Sequence, residues 1–352
     1  MESLFLYLGI TFYLTLNSIL LKNNKTLLIL TCVFTLSLTY GLRVGIGNDY
    51  EQYNNIYNQV NYNLYNAIEP TYIILSKLFY PLENGFNYLV ASYSFISFIL
   101  CYIGVKKYDI YSYLPIMMLS CGFIFFIDNQ IRQALAMSFF VFYMRYIHTR
   151  EFGKYLTCVL ISTVFAHFSS IILLSAYFIR KKKISNTVWI LLLISSFILM
   201  KIDAVGTILY KLISVVPYYS ELYLQRFNNI EIEQAGSGLG VLFWLMIAVF
   251  IVLYSDKVND PVLINLFLLG TLINTVFINY DIFERISFYF IYLRFIILAI
   301  IIKKIIFKNN IEFMISIIIF MLTLVFTCYE ILNDANKHGS VPFSLLYYKV
   351  ES

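Results

Sequence analysis

Arginines, carboxylates and one histidine recur at the ends of apolar runs in this sequence. Together these residue types can act on phosphate esters. Arg43 and Asp49 lie in RVGIGNDYEQY, Glu69 stands directly before Pro70, and Arg132 and Gln133 belong to DNQIRQ. His167 lies in FAHFSS, and Asp281, Glu284 and Arg285 lie in DIFER. A guanidinium grips phosphate oxygens with two parallel donors. Held in a poorly hydrated site, it stabilises the charge that develops on a leaving group. A carboxylate, or an imidazole near neutral pH, can take the proton from an attacking hydroxyl. RVGIG lacks the third glycine and the preceding strand of a dinucleotide loop. Neither metal-ligand spacing nor a nucleophile elbow is visible. The chemistry that fits is therefore performed on an anionic substrate, without nucleotide, metal or other cofactor.

Each residue also has a plainer use. Arg43 could snorkel to lipid headgroups, and Asp49 could cap the helix that follows it. Tyr50, Tyr53 and Tyr57, at i, i+3 and i+7, share a helix face; they could stack on sugar rings or form an interfacial aromatic belt. Asp128 or Asn129 is placed to cap a helix whose first turn carries Arg132 and Gln133. An arginine there opposes the helix dipole, so an anion must compensate it. That anion is either a bound one or a protein carboxylate such as Asp49 or Glu69. His167 is the only histidine inside an apolar segment. Ionisable groups at that depth are costly, and the bland alternative is a neutral ring bonded to Ser169 or a carbonyl.

The elements that position these residues are membrane helices. Of the 352 residues 60% are hydrophobic and only 13% charged, about half the charge of soluble domains, and the mean hydropathy is +0.77. The fold class is all-α: a polytopic integral membrane protein with about 10–12 transmembrane helices, treated as one membrane domain over 1–352. Spans are expected near 3–21, 26–42, 86–105, 110–127, 131–147, 188–200, 241–255, 262–280, 286–302 and 311–332. The first reads as a retained helix and not as a signal peptide. Basic clusters at Lys22/Lys25, Lys106/Lys107, Arg145/Arg150/Lys154, Arg180 to Lys183 and Lys303/Lys304/Lys308 mark cytoplasmic ends. Keeping all of them on one side requires 155–179 to turn back at AHFSS as a short helical hairpin; the alternative is a single span that leaves one basic cluster outside. Broken backbone at that depth survives only where protein or a wet cavity surrounds it. Both termini and every polar motif then reach the outer face. Two long outer loops, near 43–85 and 201–240, each carry a short interfacial helix, PTYIILSKLFYPL and AVGTILYKLISVVPYY. The five cysteines are scattered through apolar segments, without a disulfide framework or zinc pattern.

RVGIGNDYEQYNNIY, then EP, then NQIRQALAMSFF leading to FAHFSSIILL, and a late ERISFYF, together resemble the EpsG-type, Wzy-like bacterial polysaccharide polymerases. The likeness runs from about 40 to 180, with a looser echo near 285. It implies a glycosyltransferase that joins undecaprenyl-pyrophosphate-linked oligosaccharide repeat units, for O antigen, capsule or exopolysaccharide, on the outer side of the bacterial cytoplasmic (inner) membrane. By that likeness Arg43, Asp49, Tyr50, Glu69, Arg132, Gln133, His167 and Arg285 are the site candidates, and Tyr53 joins them from the tyrosine face. Arg132 and Arg43, with Arg285, would bind the pyrophosphate. His167, or one of Asp49 and Glu69, would be the base, with His167 preferred. The partners implied are the lipid-linked glycan, the bilayer, and a chain-length regulator and flippase of the same pathway; nothing points to nucleic acid. The rival readings are a flippase for the same lipid-linked sugar, which would show repeats and a path open to both sides, and a membrane glycan acyltransferase.

Overall fold

Apolar runs become helices wherever the chain is described, and there is no strand among the described residues. These are residues 2–64, 68–179, 181–202, 238–306 and 308–333 of a computed structural model. They fall into two compact units. One is built from Met1–Phe178 with Arg294–Ser352, the other from Ile179–Leu293. The outer loop expected at 201–240, with its interfacial helix, falls almost wholly outside the described residues.

The first unit contains α1 (Glu2–Leu20), α2 (Lys25–Gly41), α3 (Tyr50–Asn61), α4 (Pro70–Phe79) and α5 (Gly85–Gly104). It continues through α6 (Leu114–Ser120), α7 (Phe123–Asn129), α8 (Ile131–Tyr143), α9 (Arg145–Thr149) and α10 (Phe152–Phe165), then a 3₁₀ segment, Phe168–Phe178. The second unit holds α11 (Asn186–Lys201), α12 (Leu239–Leu253), α13 (Ser255–Val258), α14 (Pro261–Phe277) and α15 (Asp281–Ile291). The helices α16 (Arg294–Ile305) and α17 (Asn310–Asn333) return to the first unit. Gly85–Gly104, Phe283–Ile305 and Asn310–Tyr329 are long and apolar enough to cross a bilayer, and the bent pair Tyr111–Ser120 and Phe123–Asn129 makes a fourth span if counted as one. Shorter apolar helices, among them Lys25–Gly41, Leu239–Leu253 and Pro261–Phe277, occupy other expected spans. Large apolar side chains such as Phe12, Phe34, Leu192, Met314 and Val325 stand uncovered on helix faces, as lipid-facing surfaces require. The chain is an all-α polytopic membrane protein.

Local chemistry sets the helix starts. Asn24 Oδ1 accepts the Leu27 N–H at 3.1 Å to cap α2, and Asp260 Oδ1 does the same for Leu263 at the start of α14. Pro70 and Pro115 occupy first turns, where a missing N–H costs nothing.

Side-chain contacts fix how the helices of the first unit run. Gly41 abuts Ala91, and Asn87 Nδ2 donates to the Arg43 carbonyl at 2.7 Å, so α2 and α5 are antiparallel. Cys101 bonds Ser138 at 3.3 Å and Gly104 abuts Val141, so α5 and α8 are parallel. The Tyr143 and Tyr155 rings meet at 5.4 Å, so α8 and α10 are antiparallel. The end of α2, the starts of α5 and α8 and the end of α10 therefore share one end of the unit. The opposite end gathers the basic loops, where Lys25 and Lys303 bridge Asp109 at 2.6 and 3.1 Å.

The hairpin expected at 155–179 is present. The chain breaks after α10 at Ala166–His167 and returns as the 3₁₀ segment, unusually long for that geometry. The Tyr155 hydroxyl donates to the Leu173 carbonyl, and Tyr177 packs on Phe152 at 5.0 Å and on Tyr155 at 5.4 Å. At the turn, Ser162 and Thr163 each bond Ser170 at 3.1 Å, satisfying polar groups where the helix ladder stops.

A second break was not expected. The span at 110–127 bends by 65° between α6 and α7. Gly122 adopts φ +73 there. The break strands the Cys121 carbonyl, and buried Arg294 donates to it from Nε at 3.0 Å and from Nη2 at 2.7 Å. Arg294 thus finds the partner that its depth demands.

Candidate functional site

The glycine-bearing loop Leu42–Asp49 crosses the polar end of the first unit and locks onto the end of α7. Gly47 takes φ +100, and a Cβ there would lie 2.4 Å from the Asp128 carbonyl oxygen, so only glycine lets the two backbones approach. The Asn48 N–H donates to Asn129 Oδ1 at 2.7 Å across the same contact. Arg43, expected at the bilayer boundary with its fork open to phosphate, is instead 1% exposed. Its guanidinium donates to the carbonyls of Tyr40, Ile46 at 3.1 Å and Asp128 at 2.6 Å, and it lies 3.4 Å from the fully buried Asp128 carboxylate. The fork is filled by protein acceptors. Asp128 and Asn129 accordingly do not cap the next helix; they close α7, and Gln130 occupies the N-cap position of α8. Asp49 does precede α3 as its N-cap residue, without a side-chain cap bond, and is half-buried.

The first turn of α8 carries Arg132. Its Nη1 donates to Glu69 Oε2 at 2.7 Å, and the guanidinium lies 5.4 Å from the centre of the Tyr53 ring. This is the compensating carboxylate weighed from the sequence. The Arg132 side chain keeps 22% exposure and Glu69 keeps 9%, while Arg132 Nε is buried with no hydrogen-bond partner among the described residues. Tyr72 donates to the Tyr53 carbonyl at 2.6 Å and packs against Tyr93 at 6.1 Å. The buried Tyr93 hydroxyl has no hydrogen-bond partner among the described residues and lies within electrostatic reach of both Glu69 and Arg132. Tyr72 and Tyr93 were not anticipated. Tyr72 follows the Glu-Pro pair by two residues, and Tyr93 lies on the helix face of Val90, Ser94 and Ser97. Those are the available sequence signals, and neither is specific. Gln133 is buried on α8 at 4% exposure.

The tyrosine face points inward. Tyr50, Tyr53 and Tyr57 are all nearly buried, with Tyr50 and Tyr57 packed on Phe86 at 5.1 and 5.6 Å and Tyr53 on Tyr72 at 6.4 Å. Their broad faces cover α4 and α5 and not an extended sugar stripe or a lipid belt.

His167 occupies the hairpin turn, half-buried. The helix that leads into the turn, α10, packs against both α8 and α4, and its Ser162 lies 3.3 Å from the Tyr143 hydroxyl. The backbone N–H of Ser169 donates to His167 Nδ1 at 3.1 Å, and the Ser169 hydroxyl lies 3.1 Å from the same nitrogen. An amide N–H can only donate, so Nδ1 carries the lone pair. The neutral ring therefore holds its proton on Nε2, where it serves as a donor.

The first unit therefore brings Arg132, Glu69, Tyr53, Tyr72 and Tyr93 into one cluster, with Arg43–Asp128 bracing the neighbouring loop; His167 stands in the turn of the hairpin, in contact with Ser169. Arg285 belongs to the second unit, half-buried on α15. There Glu284 Oε1 accepts from Asn274 Nδ2 at 3.2 Å, and that amide also donates to Ser287 at 3.1 Å.

Residues 26–345 match the family model described as the EpsG family. No curated protein and no solved structure matches the chain.

Proposed function

The chain belongs to the EpsG family, polymerase-like membrane proteins of polysaccharide biosynthesis, and from that premise we propose that it is a glycosyltransferase joining glycan repeat units carried on a lipid pyrophosphate. The observation that carries this reading is Arg132, a largely buried cation at a helix start with an unsatisfied Nε–H, held against a single carboxylate. A lipid-linked pyrophosphate would complete that donor set.

Charge then dictates the order of events. In the resting pair Glu69 neutralises Arg132. A dianionic pyrophosphate outcompetes one carboxylate for the guanidinium, and its arrival releases Glu69. The freed carboxylate takes the proton of the acceptor hydroxyl as that oxygen attacks the anomeric carbon of the donor. A new C–O bond forms while the bond from the anomeric carbon to the pyrophosphate oxygen breaks, and the electron pair leaves with the carrier. Arg132 stabilises that charge. His167, presenting Nε2–H, donates to the departing oxygens instead of acting as the base preferred from the sequence. Arg43 acts at one remove, by holding the loop beside Asp128. The basic clusters at the opposite end of the unit support an orientation with this site on the outer face of the cytoplasmic membrane. A flippase or an acyltransferase has no need of an arginine–carboxylate exchange coupled to one histidine donor at a single end.

The test is polymer length in cells carrying Arg132→Ala, compared with Arg132→Lys. Loss of one preorganised charge contact costs about 10²–10³-fold in rate. Polymer should therefore give way to single repeat units on the carrier, with only weak rescue by lysine, which lacks the fork. Normal chain length from a properly inserted Arg132→Ala protein would rule the assignment out.

A further inference from the structure

Beside the arginine cluster, at the junction of α3, the end of α4 and the start of α5, the first unit has an open cleft of about 350 Å³. Tyr50, Asn54, Tyr57, Tyr80, Asn84 and Asn87 line it, and no lining residue carries a formal charge. Burial holds the phenols of Tyr50 and Tyr57 above their usual range, the Asn87 contact partly offsetting this for Tyr50, so both stay neutral at physiological pH. The polar side chains of the cleft are therefore phenols and carboxamides, each both donor and acceptor, set beside the apolar Leu82 and Phe86. Such a lining has nothing to neutralise a phosphate or an ammonium group. It also exposes too many polar atoms for an acyl chain. What it matches is a ligand whose surface alternates hydroxyls or amides with C–H patches, which is a neutral sugar. Its volume falls at the small end of the roughly 300–1,000 Å³ of ligand pockets.

Position adds to the chemistry. Tyr53 lies between Tyr50 and Tyr57 on α3, and the Arg132 guanidinium sits 5.4 Å from its ring. Tyr50 to Tyr57 is a rise of about 10 Å. One short helix thus forms the wall of the cleft and the floor of the arginine cluster.

We propose that this cleft is a subsite for an uncharged sugar of the glycan, one that does not itself react, and that it selects which repeat unit is presented to Arg132 and Glu69. The proposal rests on the polymerase reading for its ligand, but the two can fail separately. The experiment uses the full-length protein in lipid nanodiscs and two probes, followed by calorimetry. One probe is oligosaccharide made by partial acid hydrolysis of the producing cell's own polysaccharide; the other is inorganic pyrophosphate. Asn54→Ala and Tyr80→Ala change half-buried and exposed side chains. Each should weaken oligosaccharide binding by about tenfold, the worth of one good hydrogen bond. Pyrophosphate binding should stay unchanged, which also certifies the fold. Arg132→Ala should do the reverse. Oligosaccharide that binds these variants as tightly as the parent, or does not bind the parent at millimolar concentration, overturns the subsite. Should oligosaccharide behave as expected while pyrophosphate ignores Arg132→Ala, the subsite stands and the polymerase mechanism falls.

Discussion

At His167 a single backbone amide decides between two roles. With Nδ1 accepting from Ser169 at 3.1 Å, the ring can offer a proton from Nε2 but has no second lone pair with which to take one. Glutamine places an amide N–H near where Nε2–H stands, and it has no basic nitrogen. His167→Gln should therefore keep a measurable share of polymer synthesis, whereas His167→Ala should lose about 10²–10³-fold, the usual worth of a preorganised donor. Polymer output scored in the two strains separates the roles, because a base would be lost equally in both. The sequence showed that His167 was costly to place in an apolar segment, and even named Ser169 as a neighbour. It could not show which ring nitrogen the turn would occupy, since that depends on the angle at which the chain leaves α10.

At the scale of elements the loop 42–49 and α7 behave as one piece. The sequence marks the loop by its glycines and its arginine, and the resemblance points to the same residues. What it hides is that Arg43 turns back into the protein, because its partner Asp128 is 85 residues away and reads locally as a helix cap. Three carbonyls and one buried carboxyl group surround that guanidinium, so Arg43→Met would leave Asp128 and those carbonyls buried without their cation. The expected cost is about 3–5 kcal/mol, seen as a lower unfolding temperature in detergent. The double variant Arg43→Met/Asp128→Leu removes both partners and should recover most of that loss. If Arg43 were instead a phosphate ligand, Asp128→Leu would restore nothing. Gly122 and Arg294 make the parallel case: the glycine was visible and the arginine was flagged as needing a partner, yet a 65° bend within one apolar run leaves no periodic signature. The hairpin at 155–179 was legible for a different reason. Charge placement is a constraint on the whole chain, and a single span there would have put one basic cluster on the wrong side.

For the whole molecule, that constraint makes a prediction about sides. In the first unit, α8 antiparallel to α10 and the return of the 3₁₀ segment place Lys154 and Phe178 at one end, with α3 and the arginine cluster at the other. Lys154 is exposed, as are Phe178 and Asn55, so a cysteine at each position can be reached by a reagent without disturbing the core. In a background freed of the five native cysteines, a membrane-impermeant maleimide added to intact cells should label Asn55→Cys alone. After the inner membrane is opened, Lys154→Cys and Phe178→Cys should both react. Labelling of Phe178→Cys but not Lys154→Cys in intact cells would turn 155–179 into a single crossing and move His167 into the middle of a span, where it could not meet a substrate held at Arg132. Labelling of both basic-end positions in intact cells would invert the molecule and place the arginine cluster in the cytoplasm. Either result would overturn the outer-face orientation proposed for the site. The pattern expected here puts the cleft, Arg132, Glu69 and His167 on that leaflet's side of one unit, the geometry a membrane polymerase requires.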